Sequence, residues 1–180
     1  DVVYSGDGAL GITGAANPTD CSYTRVERVF TGPFRYVRVR AMVWLDDVQA
    51  TAYQLVAWLG DGAGTRCGAL VYLGSAGVGL MEQLLTPAGP PWEGFTHQLS
   101  GEGVQVQQWT LVEFYADYVG HRVGMSINGL PVLDVAMAVD CPLLEGEATL
   151  AVGLHCVPTD APASHFHADD VVFDPRFTPP

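Results

Sequence analysis

The sequence predicts an all-β protein made of two packed antiparallel sheets. Three observations carry that prediction. Helical periodicity is almost absent along the 180 residues. Gly and Pro punctuate the chain every ~8–12 residues, the spacing of short strands joined by turns. The segments between these breakers alternate apolar and polar side chains, which sends successive residues to opposite faces of a strand.

Val2-Val3-Tyr4 reads as a short first strand, and Gly6 to Asp20 as mostly turn. Tyr23 to Phe30 alternates weakly before the breaker Gly32-Pro33. Phe34 to Leu45 is the clearest strand. Val37, Val39, Ala41, Val43 and Leu45 share the face expected to be buried, and Arg38, Arg40, Met42 and Trp44 share the other. Gln54 to Gly60 repeats the pattern, with Leu55, Ala57 and Leu59 inward and Gln54, Val56 and Trp58 outward. Asp61-Gly62-Ala63-Gly64 turns the chain into a strand from Arg66 to Leu73. Val78 to Leu85 fits either a strand or a short helical turn, and Pro87 to Gly94 reads as a surface loop carrying Trp92.

Gln107 to Tyr118 is a long strand with Val112, Phe114 and Ala116 on one side. Gly120 turns it into Arg122 to Ile127, where Val123, Met125 and Ile127 align. Asn128-Gly129 is the strongest hairpin signal in the chain, because both turn positions need a positive φ. The return strand, Leu130 to Val135, contains Pro131, which implies a sheet edge or a bulge. An unbulged register sets Asp134 against Val123, a mismatch that a bulge relieves. Ala148 to Cys156 and Phe166 to Phe173 complete the set. About a dozen strands suit a two-sheet jelly-roll sandwich, with first and last strands paired to close an edge. Residues 1–176 form one domain on this reading and 177–180 a tail, with Pro179-Pro180 resembling a severed linker.

The formal net charge is −12, and all eight basic residues are Arg. Such a chain lacks the basic footprint that nucleic acid requires, and it is repelled by anionic membranes. No apolar run approaches the ~20 residues of a membrane helix. A chain this long buries roughly 70% of its unfolded surface, so no cofactor is required to hold it together. It begins at Asp1 without Met, as a mature or excised product does. The four cysteines, Cys21, Cys67, Cys141 and Cys156, form no C-x-x-C pair. Their even number and wide spacing suit two disulfides in an oxidising compartment: extracellular, cell-surface or periplasmic. Three connectivities are open. Cys141–Cys156 with Cys21–Cys67 is favoured, because the first pair brackets a single turn and strand. Each bridge is worth ~3 kcal/mol.

Four segments in order carry a family resemblance: Trp109-Thr110-Leu111-Val112-Glu113-Phe114, Arg122 to Gly129, Leu150-Ala151-Val152-Gly153-Leu154, and Asp169-Asp170-Val171-Val172-Phe173. The pattern resembles the concanavalin A-like lectin/glucanase superfamily and specifically its laminin-G-like jelly rolls. The resemblance covers roughly residues 105 to 174, and the N-terminal half only by strand rhythm. It implies a glycan-binding, adhesive or receptor-binding module, or a glycan-cleaving enzyme, since fold does not fix function. The superfamily's retaining glucanases carry Glu-x-Asp-x-x-Glu, because two carboxylates ~5–5.5 Å apart must flank the scissile bond. That run is missing. Glu113 and Asp117 lie four residues apart on one strand, a separation of ~13 Å. The alginate-lyase pattern is echoed only by Arg25-Val26-Glu27-Arg28, with the wrong spacing. No Gly-x-Ser-x-Gly elbow surrounds Ser100, Ser126 or Ser164. The chain therefore reads as a non-enzyme.

Two constellations remain. Outward-facing Arg38, Arg40 and Trp44, with Trp58 and Tyr72 expected on neighbouring strands, form a candidate ligand stripe, and Trp92 is a further exposed aromatic. Rings stack on sugars or anchor proteins, and Arg supplies directional donors. Five of the eight Arg fall between Arg25 and Arg40, which suits a local basic strip for an acidic glycan or a neighbouring copy. His165, His167 and Asp169 share one strand face. They read either as solvated histidines beside a structural Asp or as metal ligands. The resemblance also implies Ca2+, for which Asp46, Asp47, Asp61, Asp160 and Asp169 are loop-placed oxygen donors without a diagnostic spacing. The expected partner is a glycan or an extracellular protein, with self-association as a secondary property.

Overall fold

Strict alternation along the strands decides the architecture. The computed structural model describes residues 10–14, 23–32, 34–46, 52–60, 63–74, 77–88, 93–99, 104–142, 146–155 and 164–174. These hold twelve strands: β1 (Leu10–Gly14), β2 (Tyr23–Gly32), β3 (Tyr36–Leu45), β4 (Ala52–Gly60), β5 (Arg66–Gly74), β6 (Gly77–Leu85), β7 (Glu93–Leu99), β8 (Thr110–Asp117), β9 (Arg122–Ile127), β10 (Leu130–Ala136), β11 (Gly146–His155) and β12 (Ser164–Asp174). Sheet I runs β1-β12-β3-β8-β9-β10, and sheet II runs β2-β11-β4-β5-β6-β7. Every strand pairing is antiparallel. No helix among the described residues is long and apolar enough to cross a membrane.

The core fills the gap between the sheets. Sheet I contributes Val37, Val39, Ala41, Val43 and Leu45 from β3, and Val112, Phe114 and Ala116 from β8, all at most 1% exposed. Sheet II answers with Leu59, Cys67, Ala69, Val71, Leu73 and Leu80, equally buried. Each large aliphatic or aromatic side chain buried here contributes ~1.5–3 kcal/mol relative to solvent.

Turn chemistry fixes the register of the β8–β10 meander. Asn128 and Gly129 have φ of 51° and 79°, so the Asn-Gly hairpin takes the mirror-image turn that suits twisted strands. Asn128 also anchors the hairpin to β8: its Oδ1 accepts from the Leu111 amide at 3.0 Å, and its own amide donates to the Leu111 carbonyl at 2.8 Å. Pro131 sits on the edge strand β10, next to a register shift between Pro131 and Leu133. That shift places Asp134 opposite Gly124 rather than Val123. The first and last described strands, β1 and β12, pair with each other.

Several expectations are corrected. Leu10–Gly14, expected to be turn, is β1. Its two glycines hide a strand that forms only because β12 supplies a partner, a case of tertiary context overriding propensity. Val78 to Leu85 is strand, held between β5 and β7. The loop after Pro87 is shorter than expected, since β7 already starts at Glu93. Val2-Val3-Tyr4 lies outside the described residues.

The disulfide expectation also fails. Cys67 bonds to Cys141, with Cα atoms 5.7 Å apart, so neither Cys21–Cys67 nor Cys141–Cys156 forms. After β10 the chain leaves the edge of sheet I and crosses to β11 in sheet II, and this crossover brings Cys141 over the inner face of β5. Proximity in sequence was the wrong criterion. Cys21 and Cys156 lie outside the described residues.

Candidate functional site: two outer faces of opposite character

The proposed single stripe divides between the two sheets. Arg38, Arg40 and Trp44 lie on β3 in sheet I, while Trp58 and Tyr72 lie on β4 and β5 in sheet II. β3 and β4 are consecutive in sequence but belong to different sheets, so their outward residues stand on opposite sides of the sandwich. The basic strip fails for the same reason: β2, with Arg25 and Arg28, edges sheet II, and β3 is central in sheet I. Trp92 lies outside the described residues.

The centre of the outer face of sheet II is aromatic and uncharged, and the row beside it, Glu147, Gly60, Arg66 and Leu85, carries one acidic and one basic side chain. Trp58 lies between Thr149 on β11 and Gly68 on β5, and the same row continues to Gln83 and Gly94. The next row carries Leu70, Met81 and Thr96, and the one after it Tyr72, Gly79 and Gln98. None of the residues named in these three central rows is charged. Leu70 points away from the core yet is only 3% exposed, because Trp58, Tyr72 and Met81 close around it. The Gln83 amide donates to the Met81 sulfur at 2.9 Å. Burial raises the Tyr72 hydroxyl above the ordinary tyrosine pKa, so it stays protonated as a donor. Flat rings flanked by amides and hydroxyls can stack on the C–H faces of sugar rings and bond their hydroxyls. These three rows carry hydroxyls and amides and no carboxylate or imidazole among the residues named.

The outer face of sheet I is charged and internally paired. A cleft of about 440 Å³ opens over β3, β8, β9 and β10. Tyr36 and Tyr115 stack across β3 and β8, with ring centroids 5.6 Å apart and planes 14° from parallel. Tyr115 lies across Gly124, its partner on β9. Its hydroxyl donates to Asp134 Oδ1 at 2.6 Å. Arg122 donates to the same oxygen from Nη2 at 2.6 Å and from Nε at 3.1 Å. The Tyr115 hydroxyl bond, then the Arg122 guanidinium, hold Asp134 below the ordinary carboxylate range. Burial, then the bond to Asp134, raise Tyr115. On the other side of the rings Arg38 Nη2 pairs with Glu113 Oε2, and Ser126 Oγ reaches Glu113 Oε1 at 3.5 Å. Arg40 is exposed, opposite Glu113 in the ladder.

The metal expectation gains no support. His167 Nε2 lies 3.4 Å from Asp46 Oδ2, and Asp46 Oδ1 accepts the Trp44 indole N–H at 2.8 Å. Asp169 Oδ1 accepts the Asp170 amide at 2.7 Å. His165 lies on the same strand, outside the described side chains. Among the described residues no three His, Cys, Asp or Glu side chains converge as metal ligands.

Sequence reasoning missed Tyr36, Tyr115, Arg122 and Asp134. Their signal was present in part: the β8–β9 ladder sets Tyr115 beside Gly124, and the bulge in the Asn-Gly hairpin sets Asp134 beside the same glycine. It also missed Glu82, which faces inward at 2% exposure. Glu82 accepts the Ala138 and Val139 amides at 3.0 Å each and pairs with His97 Nε2 at 2.6 Å.

No family profile matches the sequence, and no curated protein matches it significantly. Solved structures do. An endo-β-1,4-glucuronan lyase from the fungus Trichoderma reesei is 16% identical with a TM-score of 0.68, covering 96% of this chain and 83% of that one. A glycoside hydrolase family 16 protein from a mixed-linkage glucan locus of Bacteroides ovatus is 12% identical with a TM-score of 0.63, covering 94% and 83%. A pentraxin from Limulus polyphemus is 14% identical with a TM-score of 0.53, covering 91% and 74%. At these identities the likeness concerns the fold alone: the chain folds as a concanavalin A-like jelly-roll sandwich.

Proposed function

We propose that this protein is a non-catalytic carbohydrate-binding module working outside the cytoplasm, and that the outer face of sheet II holds a neutral glycan. One observation carries the reading. A chain of net charge −12 keeps three successive outward rows across β5, β6 and β7 free of charge and sets Trp58, Leu70, Tyr72 and Met81 among them. Trp58, Tyr72 and Met81 remain part-exposed around the buried Leu70, and apolar side chains gathered at a surface mark binding sites. The Cys67–Cys141 disulfide supports an oxidising compartment. No metal is needed for stacking and amide contacts.

The reading is tested by affinity electrophoresis through gels carrying neutral or uronic-acid polysaccharides. Retardation by a neutral polymer, weakened in Trp58→Ala and in Tyr72→Ala, is expected. Retardation only by uronic-acid polymers, or retardation unaffected by both substitutions, rejects it. Release of reducing or unsaturated ends from any polymer would replace binding with catalysis.

One observation favours a second reading, self-association as an adhesive or structural subunit. β7 is an edge strand with an unbroken ladder to β6, no Pro, Phe95 49% exposed, and Glu93 at its start as its one carboxylate. Concentration-dependent mass in light scattering would support it.

A further inference from the structure

We propose that the cleft on the outer face of sheet I is a second binding site, suited to a short neutral saccharide and independent of the rings on sheet II. Its volume of about 440 Å³ falls in the range of small-ligand sites. The stacked Tyr36 and Tyr115 rings supply a flat apolar surface. Tyr115 lies so close over Gly124 that a Cβ there would stand 2.2 Å from its Cε1. Glycine inside a strand weakens it, and here its absence of a side chain lets the ring lie down on the sheet.

A donor and an acceptor flank the rings on each side: Arg38 with Glu113, and Arg122 with Asp134. Stability alone is a poor account of the Arg122–Asp134 pair. The Arg122 and Asp134 side chains are 49% and 56% exposed, and exposed pairs contribute little. Adjacent sugar hydroxyls suit such a pair, since one can accept from the guanidinium while its neighbour donates to the carboxylate.

The charge count selects against anions. Two guanidinia, Arg38 and Arg122, face three carboxylates, Glu113, Asp117 and Asp134, in the lining. An incoming anion would compete for arginines that already face carboxylates and would meet the field of the whole acidic chain. A neutral polyol escapes the repulsion, and its hydroxyls can also donate to the carboxylates. The β10 bulge between Pro131 and Leu133 shapes the far wall, and bulges commonly re-aim side chains beside sites. With sites on both faces, one copy could bridge two glycan chains and gain avidity.

Amide NMR titrations test this, with cellotetraose, maltotetraose and mannotetraose as neutral probes and tetragalacturonate as the charged one. At least one neutral probe is expected to shift the Gly124 and Ser126 amides. The shifts should persist in Trp58→Ala/Tyr72→Ala and weaken about tenfold in Asp134→Asn and in Glu113→Gln, the scale of a lost charge-assisted hydrogen bond. Both substitutions are near-isosteric at partly exposed positions, so the fold is retained. No shift at Gly124 and Ser126 with any neutral probe overturns the proposal, as does tighter binding of tetragalacturonate or an Asp134→Asn titration equal to wild type. Loss of the sheet II response with persistence of the Gly124 response separates failure of one site from failure of the other.

Discussion

Tyr72 lies across Gly79, its ladder partner on β6, so closely that a Cβ at residue 79 would stand 2.3 Å from the ring Cζ and hydroxyl oxygen. The ring is held flat because residue 79 has no side chain. Gly79→Ala must push the ring off the sheet. The ring is the free end of a rotatable side chain, so the fold should lose no more than about 1–2 kcal/mol. Neutral-glycan binding should fall as far as in Tyr72→Ala. Thermal melts beside affinity gels check both halves, and intact binding in Gly79→Ala contradicts the stacking role.

Cys67–Cys141 closes a loop of 74 residues in sequence separation and ties the β10–β11 crossover to β5. Restricting so long a loop in the unfolded chain is worth about 4 kcal/mol on the chain-entropy account. The Cys67→Ala/Cys141→Ala variant should lose stability of that order in guanidinium titrations. Peptide mapping without reductant should recover the fragment joining these two residues.

Glu82 secures the same crossover by accepting two backbone amides and pairing with His97. Glu82→Ala strands those amides in a buried site and should cost ~3 kcal/mol, while Glu82→Gln, which keeps an acceptor, should cost less. Equal losses would mean that the carboxylate is not the anchor.

Tyr118 is 1% exposed, and its hydroxyl has no hydrogen-bond partner among the described residues. Burial first, and the Glu82 charge second, raise its pKa above the ordinary tyrosine value. The sign follows from linkage. The folded state holds this proton more tightly, so the stability it contributes is full below the ordinary tyrosine pKa of about 10 and is lost as pH rises beyond it. Tyr118→Phe removes both the orphan hydroxyl and the ionisation. It should raise stability by ~1 kcal/mol at neutral pH and shift alkaline unfolding upward. Circular dichroism against pH, with tyrosinate absorbance, checks this.

The fold was legible because alternation is a local property. β3, β8 and β9 show their inner faces in the order of their residues, and Asn128-Gly129 sets its hairpin by turn chemistry alone. The site was legible only in part, because which sheet a strand joins is decided by connections. Trp44 and Trp58 look like members of one stripe in sequence, yet the chain changes sheets between β3 and β4. Cys141 could not be matched to Cys67 without the crossover. Tyr115, Gly124 and Asp134 meet only after the bulge at Pro131 shifts the register, an offset that Pro131 hinted at without fixing. β1 had no signal of its own and depends on β12.

The central proposal is that side chains alternating sides leave the middle of sheet II's outer surface uncharged and ring-bearing, and that this surface holds a neutral sugar chain. Calorimetric titration of wild type, Trp58→Ala and Asp134→Asn with the neutral polysaccharide selected by affinity gels tests it most directly. The prediction is heat of binding in wild type, loss of its sheet II component in Trp58→Ala, and retention of that component in Asp134→Asn. Binding that survives Trp58→Ala unchanged would contradict the claim.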